Sequence, residues 1–333
     1  MKFFRIVIFW IENARYNALP QSLFPGIIAC CLACNSDGFS LGYGIAAIFG
    51  VLFAHLSMNL LDDYFDYRNK GDEIRNNLAA AGFRARIAKC AYLTSGQATE
   101  KQLLTVSAIF ASLALVVGVF IFLKQGIGIL IFVLLAALLG VFYSGNPIRL
   151  AYRGLGELVV AIIFGPLLMG GVYYAACGHL QPTVWFVSLP VGLLVANVLY
   201  THSIMDALPD EQVGKMTFAR LLKTPRRKLI GSFGFIFLPY LILLLGVLLQ
   251  LVSMSFLLVF LTLPLAMSLF YLLVRFVKEP QRTFVPRWWM QPMEKWEEIK
   301  TAGIDWFMIR WFLARNLMMY FCILLLLAIF LQK

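Results

Sequence analysis

Charge is what this chain has least of. Asp, Glu, Lys and Arg make up 14% of its 333 residues, hydrophobic residues make up 61%, and mean hydropathy is +0.82. A soluble domain carries roughly a quarter charged and about half apolar residues, so a water-soluble globular fold is excluded. The weak alternation over about ten residues that marks the strands of a membrane barrel is also missing. Six cysteines give no disulfide framework: Cys30, Cys31, Cys34, Cys177 and Cys322 lie in or beside apolar runs, and Cys90 lies in a basic loop. The group Cys30, Cys31 and Cys34 has no fourth metal ligand nearby and reads as small packing residues. Met1–Ile11 runs into Glu12, Asn13 and Arg15 without a small-residue cleavage site, so no cleavable signal peptide is expected. The aromatic residues, 15% of the chain, sit in or at the edges of apolar runs without a base-stacking pattern, and no nucleic-acid partner is expected.

Apolar runs near 20 residues, the length that crosses a hydrocarbon core, are what the chain has in abundance. Nine spans are expected, at about 18–36, 40–61, 103–123, 126–143, 157–177, 183–204, 229–250, 253–275 and 311–331. The expected fold is an all-α membrane protein of about nine transmembrane helices, one polytopic domain over residues 1–333 in contact with the lipid bilayer. Residues 1–17 read as an amphipathic interfacial segment with Lys2 and Arg5 among the headgroups. The 276–310 loop, with Trp288, Trp289, Trp296 and Trp306, reads as cytoplasmic or interfacial and includes a surface helix.

Positive charge is nearly absent from one side of this layout. With the amino terminus inside, the inner segments and their flanks hold 26 of the 28 Lys and Arg residues, leaving Lys124 and Lys333 outside. This asymmetry orients the chain with its basic loops in the cytoplasm, as in a bacterial inner membrane. The net charge of +11 then reads as topology plus attraction for anionic headgroups and phosphates.

Two acidic motifs end apolar runs on the inner side. The first is Asn59–Asp72, NLLDDYFDYRNKGD, after the mostly apolar run Gly44–Met58. On a helix Asn59, Asp62, Asp63 and Asp66 form one polar stripe, because positions three and four apart share a face. Carboxylates at membrane depth are costly and normally face a cavity holding something positive. Clustered carboxylates also repel unless a cation neutralises them. Oxygen ligands on a shared face suit Mg²⁺, which binds through one or two carboxylates plus substrate phosphates. A solvated helix end explains a single such motif equally well. The second motif, His202–Arg220, follows the apolar run Val184–Tyr200, and Asp206 and Asp210 repeat the spacing of Asp62 and Asp66. Lys215 follows in a Gly-Lys pair. Two acidic helix ends with basic residues behind them suit a diphosphate held by two Mg²⁺.

Arg149, Arg153 and Glu157, in the loop Tyr143–Glu157, are candidates to line the same cavity, although topogenic charge accounts equally well for the two arginines. His55, inside a span, reads as a packing residue, and His179 has no evident partner. A transporter is the competing class, since intramembrane carboxylates also mark ion paths. The carboxylates here cluster at one end of their spans, with no charge on the opposite half to complete a path.

These motifs resemble the UbiA-type intramembrane prenyltransferases, most nearly their menaquinone branch, the 1,4-dihydroxy-2-naphthoate polyprenyltransferases. Asp63-Tyr64-Phe65-Asp66 with Gly71-Asp72 looks like the first motif of that branch, and Asp206-x-x-x-Asp210-x-x-x-Gly214-Lys215-x-Thr217 like its second. Tyr143-Ser144-Gly145 through Glu157, with Gly165-Pro166, resembles the central loop, and Arg15 to Pro25 resembles the segment leading into the first span. The chain departs from the pattern at Asp62, where the family usually has Asn, at His202-Ser203, where the branch commonly has Asn-Asn, and at Pro209. Proline at 209 predicts a helix that bends or ends near Met205.

The resemblance implies nine helices around a central cavity and a Mg²⁺-dependent transfer from an allylic polyprenyl diphosphate to a small aromatic acid. In the menaquinone branch the acceptor loses its carboxylate; a hydroxybenzoate acceptor is the alternative. No obligatory protein partner is evident. Asp63, Asp66, Asp206 and Asp210 are the expected catalytic core and metal ligands, with Asp62 and Asp72 as further metal candidates. Asn59, Tyr143, Arg149, Arg153, Glu157, His202 and Lys215 are the expected substrate-binding residues. Gly154, Gly156, Gly165, Gly170 and Gly171 either open a flat slot for a bicyclic acceptor or serve close helix packing.

Overall fold

The computed structural model describes residues 2–68, 90–212 and 214–332, with side chains from residue 4 onward. Among the described residues, eight helices are long and apolar enough to cross a membrane, and no strand is present beyond one isolated bridge. A ninth apolar helix, Pro20–Ala33, has 14 residues, about 21 Å at 1.5 Å per residue. It is shorter than the 18–36 span expected, because the chain turns at Cys34–Gly38. The chain clusters into two compact units, and the division falls inside one span.

Unit 1 comprises residues 1–150 and 167–180. It opens with α1 (Lys2–Asn13), on which Phe4, Ile6 and Ile8 are exposed while Trp10 is buried against Leu56, Leu60 and Tyr92. The apolar face of α1 away from these contacts is uncovered. Next comes α2 (Pro20–Ala33), with proline at its first position, where no N–H is needed. The long α3 (Leu41–Arg68) continues seven residues past the expected end of its span. A short α4 (Ala91–Thr94) precedes α5 (Glu100–Gln125), which starts at a capping box formed by Thr99 and Gln102. α5 leads through Gly126, at φ +68°, into α6 (Ile127–Ser144). Helices α3 and α5 are joined by reciprocal bonds: Ser57 Oγ donates to Ser107 O at 2.8 Å, and Ser107 Oγ to Ser57 O at 3.0 Å. Small hydroxyl residues of this kind link membrane helices where lipid supplies no drive for association.

The span α7 (Gly156–Cys177) contributes its C-terminal half to unit 1 and its N-terminal half to unit 2. A π-turn at Ile163–Leu167 absorbs Pro166, whose missing N–H would otherwise leave a carbonyl unserved at membrane depth.

Unit 2 comprises residues 151–166 and 181–333. Its central element is α8 (Pro182–Met205), with 67% of its most apolar stretch buried, against 11% in α5 and in α6 of the other unit. After α8 come α9 (Ala207–Gln212), α10 (Phe218–Leu221), α11 (Pro225–Leu248), α12 (Met254–Lys278), α13 (Trp296–Thr301) and α14 (Asp305–Phe330). The Trp-rich loop is thus shorter than expected, 279–304, with Trp306 inside α14 and stacked on Phe276. Its surface helix is α13. Asn316 fastens the loop to α14 by donating to Met290 O and Pro292 O at 2.8 and 3.0 Å. Arg310, read as loop in the sequence, is fully buried in α14, donates to Leu272 O at 3.0 Å and lies over the Phe276 ring.

The glycines of α7 settle one of the two alternatives. A Cβ on Gly165 would lie 2.5 Å from Ser188 O and 2.9 Å from Gly192 Cα, so these residues bring the backbones of α7 and α8 into contact. A Cβ on Gly171 would touch Phe132 at 3.4 Å. The space at both is filled by neighbouring helices, and Gly154, at φ +80°, serves a turn. None of these three opens a slot for an acceptor.

Candidate functional site

The first acidic motif lies in unit 1 on an unbroken stretch of α3. Asp63 and Asp66 are buried and Asp62 is half-buried. Arg15, in a left-handed backbone conformation at φ +60° between α1 and α2, reaches across to them. Its Nη2 donates to Asn59 O at 3.0 Å and to Asp62 Oδ2 at 3.3 Å, and it makes a short ion pair with Asp63 Oδ1. Tyr92 Oη donates to Asp63 Oδ2 at 3.1 Å, and Ser144 Oγ donates to Asp62 Oδ1 at 2.6 Å. Asn59 Nδ2 donates to Ala14 O at 2.9 Å, bracing the segment that carries Arg15. Burial alone would lower the Arg15 pKa, but the carboxylates of Asp63 and Asp62 outweigh it and raise it. Burial first, then the Asp63 charge, raises the Tyr92 hydroxyl, which stays protonated as a donor.

Arg15 and Ser144 fall in segments that carry the family resemblance, but neither they nor Tyr92 is expected as a site residue, because nothing in the spacing links residues 15, 92 and 144 to residue 63. Tyr143 and Arg149 belong to the same unit; Arg149 takes φ +50° and donates its N–H to Gly145 O at 3.0 Å. Asp72 lies outside the described residues, as do Lys70, Gly71, Arg75, Arg84, Arg86 and Lys89. His55 is a packing histidine, with Nδ1 2.8 Å from Ser22 Oγ. His179, expected to lack a partner, is held by Cys177 O at 3.2 Å and by the edge of Tyr173.

The second motif lies in unit 2 where α8 stops. Met205 is its last residue, as the proline predicts, and Asp206 caps it. Pro209 then falls in the first turn of α9, where a missing N–H costs no hydrogen bond, and Asp210 N–H still donates to Asp206 O at 2.8 Å. Asp206 and Asp210 are both buried. His202 Nε2 lies 3.4 Å from Asp206 Oδ2, one turn back, and its ring meets the edge of Phe307.

A braced loop follows. Lys215 N–H donates to Asp210 O at 2.8 Å, and Arg220 Nη1 donates to Lys215 O at 2.7 Å while Nη2 pairs with Glu211 at 3.5 Å. Lys215 Nζ sits 5.5 Å above the Tyr152 ring, Arg153 bridges to Met216, and Glu157 Oε2 accepts from Phe218 N–H at 3.1 Å. Unit 2 thus places His202, Asp206 and Asp210 one turn apart in succession, and joins Arg153, Glu157 and Lys215 through the 151–157 and 214–218 segments. Glu157, expected to bind substrate, accepts a hydrogen bond at the start of α10. Arg220 escapes a reading of the sequence because it looks like one more topogenic charge.

The donor sets suit Mg²⁺ in kind, since every carboxylate offers hard oxygen. Among the described residues no three His, Cys, Asp or Glu side chains form a preformed cage.

The sequence matches the UbiA prenyltransferase family over residues 22–296. It is 23% identical to a 1,4-dihydroxy-2-naphthoate octaprenyltransferase of Bacillus subtilis, over 65% of this chain and 66% of that protein. It is 26% identical to the enzyme of the same description from Haemophilus influenzae, over 63% of this chain and 68% of that protein. The match thus spans about two thirds of the length of these curated relatives. A UbiA homologue from Archaeoglobus fulgidus, solved bound to GPP and Mg²⁺, shares the fold at a TM-score of 0.57 and 13% identity, covering 95% of this chain and 99% of that one. Both acidic motifs fall inside a family match that takes in well over half the sequence, and the chain belongs to the UbiA prenyltransferase family.

Proposed function

We propose that the protein transfers a polyprenyl group from an allylic polyprenyl diphosphate to 1,4-dihydroxy-2-naphthoate in menaquinone biosynthesis, with loss of the acceptor carboxylate. The observation that carries this reading is the pair of carboxylate motifs at the ends of spans, Asp62-Asp63-Asp66 with Arg15 beside it and Asp206-Asp210 with Arg220 on the carbonyl of Asp210 at 3.4 Å, Asp63, Asp66, Asp206 and Asp210 being buried. The naphthoate acceptor rests on the descriptions of the relatives.

Asp63, Asp66, Asp206 and Asp210 are the metal-binding core in this reading, with Asp62 and Asp72 as further ligands. Arg15 and Tyr92 engage the two oxygens of Asp63 and hold its carboxylate in place. The oxygens of this core would hold Mg²⁺, which when bound would supply positive charge against the departing diphosphate. Lys215 and Arg153 bind the diphosphate oxygens. The allylic C–O bond breaks, diphosphate leaves with the bonding pair, and the electron-rich ring attacks the allylic carbon. The new C–C bond replaces the bond to the carboxylate, which departs as CO₂. The spans exclude water that would trap the allylic cation. Both motifs face the cytoplasm of a bacterial inner membrane. Labelling of a cysteine placed at 214 by an impermeant reagent from the outer side, in a chain lacking its native cysteines, overturns that orientation.

The deciding experiment offers purified protein 1,4-dihydroxy-2-naphthoate and hydroxybenzoate together with a polyprenyl diphosphate and Mg²⁺, and weighs the products. The expected product is a prenylated naphthoquinol lacking the carboxylate. Exclusive prenylation of hydroxybenzoate overturns the acceptor, and absence of diphosphate release with either acceptor overturns the activity.

A further inference from the structure

Unit 2 carries a groove on its outer surface between α11 and α12, of about 490 Å³. Its floor is apolar, formed by Ile230, Phe233, Phe270 and Val277, with the Phe233 and Phe270 rings 5.8 Å apart edge to face. Arg226 and Lys278 line the same groove. Both are exposed, and among the described residues neither makes an ion pair or a side-chain hydrogen bond. By contrast, the groove of similar size on α5, about 480 Å³, is lined by Thr105, Ser112 and apolar residues, with no charge in its lining.

The positions set a depth. Phe233 is seven residues along α11 from Arg226, and Phe270 is eight residues along α12 from Lys278. At 1.5 Å per residue the apolar floor lies about 10–12 Å from the two cations, the distance from a headgroup into the acyl region. The helix end adds to the charge. α11 begins Pro225-Arg226-Arg227-Lys228 with no acidic residue in its first turn, so three cations crowd the positive end of the helix dipole. Helices ordinarily place acidic groups there, and an anion supplied from outside relieves the arrangement.

We propose that this groove is a binding site for an anionic phospholipid, its phosphate between Arg226 and Lys278 and an acyl chain along Phe233 and Phe270. Basic recesses between membrane helices on the cytoplasmic side recognise acidic headgroups through the same combination of point charge and apolar wall. The site is separate from the carboxylate motifs and does not rest on the transfer reaction.

The test uses the full-length protein equilibrated with equal amounts of phosphatidylglycerol and phosphatidylcholine, then delipidated stepwise and weighed intact by native mass spectrometry. The wild type is expected to retain one phosphatidylglycerol preferentially. The double variant Arg226→Gln, Lys278→Gln is expected to lower that occupancy fivefold or more, with the same melting temperature because neither residue has a partner to lose. Lys300→Gln, a charge removed elsewhere on the basic side, is expected to leave it unchanged. Equal retention of the two lipids by the wild type, or undiminished phosphatidylglycerol on the double variant, overturns the proposal. Displacement of the lipid by geranyl diphosphate also overturns it, because the groove would then belong to the prenyl donor.

Discussion

The two acidic motifs share one spacing, D-x-x-x-D, and carry it on different backbones. Asp62 and Asp66 sit on an uninterrupted helix, so their separation is fixed by α3 itself, and a cation from a distant part of the chain, Arg15, supplies the neutralising charge. Asp206 and Asp210 sit across a helix break, with Asp206 closing α8 and Asp210 inside α9. There the chain itself braces the site, through Pro209, the bond from Asp210 N–H to Asp206 O, and Arg220 on the carbonyl of Lys215. An identical sequence spacing therefore does not imply an identical local structure. The first motif depends on helix continuity and a buried ion pair, the second on a short turn and its clamp.

The largest expected effect treats the motifs as equals. Asp66→Ala and Asp210→Ala should each lower prenyl transfer by roughly 100-fold or more, the scale of losing one charge-stabilising group, while the protein still inserts and folds. Product formation by the purified variants at saturating Mg²⁺ measures this, and full turnover by either breaks the equivalence. Folding effects then separate the two. Proline introduced into the first motif as Phe65→Pro should destabilise α3 by about 3 kcal/mol or more, read as a lowered melting temperature and reduced yield in detergent. Tolerance of that proline would mean that α3 is not under the constraint its hydrogen bonds imply.

Arg15→Ala should cost about 2–3 kcal/mol, at or below the lower end for breaking a buried ion pair because the Arg15 side chain is one third exposed. Arg15→Lys should recover only part of it, since lysine lacks the planar fork that serves Asn59 O, Asp62 and Asp63 together. Equal melting of the alanine and lysine variants would show that charge without the guanidinium geometry contributes nothing at Asp63. The smallest effect is expected at Pro209→Ala, within about 0.5 kcal/mol of the parent, because the first turn of α9 leaves that N–H without an intrahelical partner in either residue. A larger loss of stability would place the rigidity of the second motif in the proline itself.

Much of the frame is legible in the sequence. The boundaries expected for the spans after α3 fall within a few residues of those observed, except at α14, which starts six residues earlier. Helix ends in membranes are set by hydropathy, caps and proline, all of which are local. The break at Met205 follows from Pro209 for the same reason. Less visible are the continuation of α3 through the Asp cluster to Arg68 and the start of α14 at Asp305. In both, polar residues at the end of a span read as loop until their partners are known. Arg310 shows why: within α14 its charge is covered by Leu272 O, Trp306 O and the Phe276 ring, contacts that no window of hydropathy contains.

The sequence by itself determined the class and the positions of most spans. Those features depend on composition and on residues no more than a turn or two apart. Only the tertiary structure decided that Arg15, Tyr92 and Ser144 serve the first motif, that Glu157 and Arg220 hold the loop of the second, and that Gly165 packs against Gly192 instead of lining a slot. Each of these is a contact between parts of the chain five to 82 residues apart. A carboxylate buried beside a bilayer takes whichever donor the fold carries to it, and its neighbours in sequence do not name that donor.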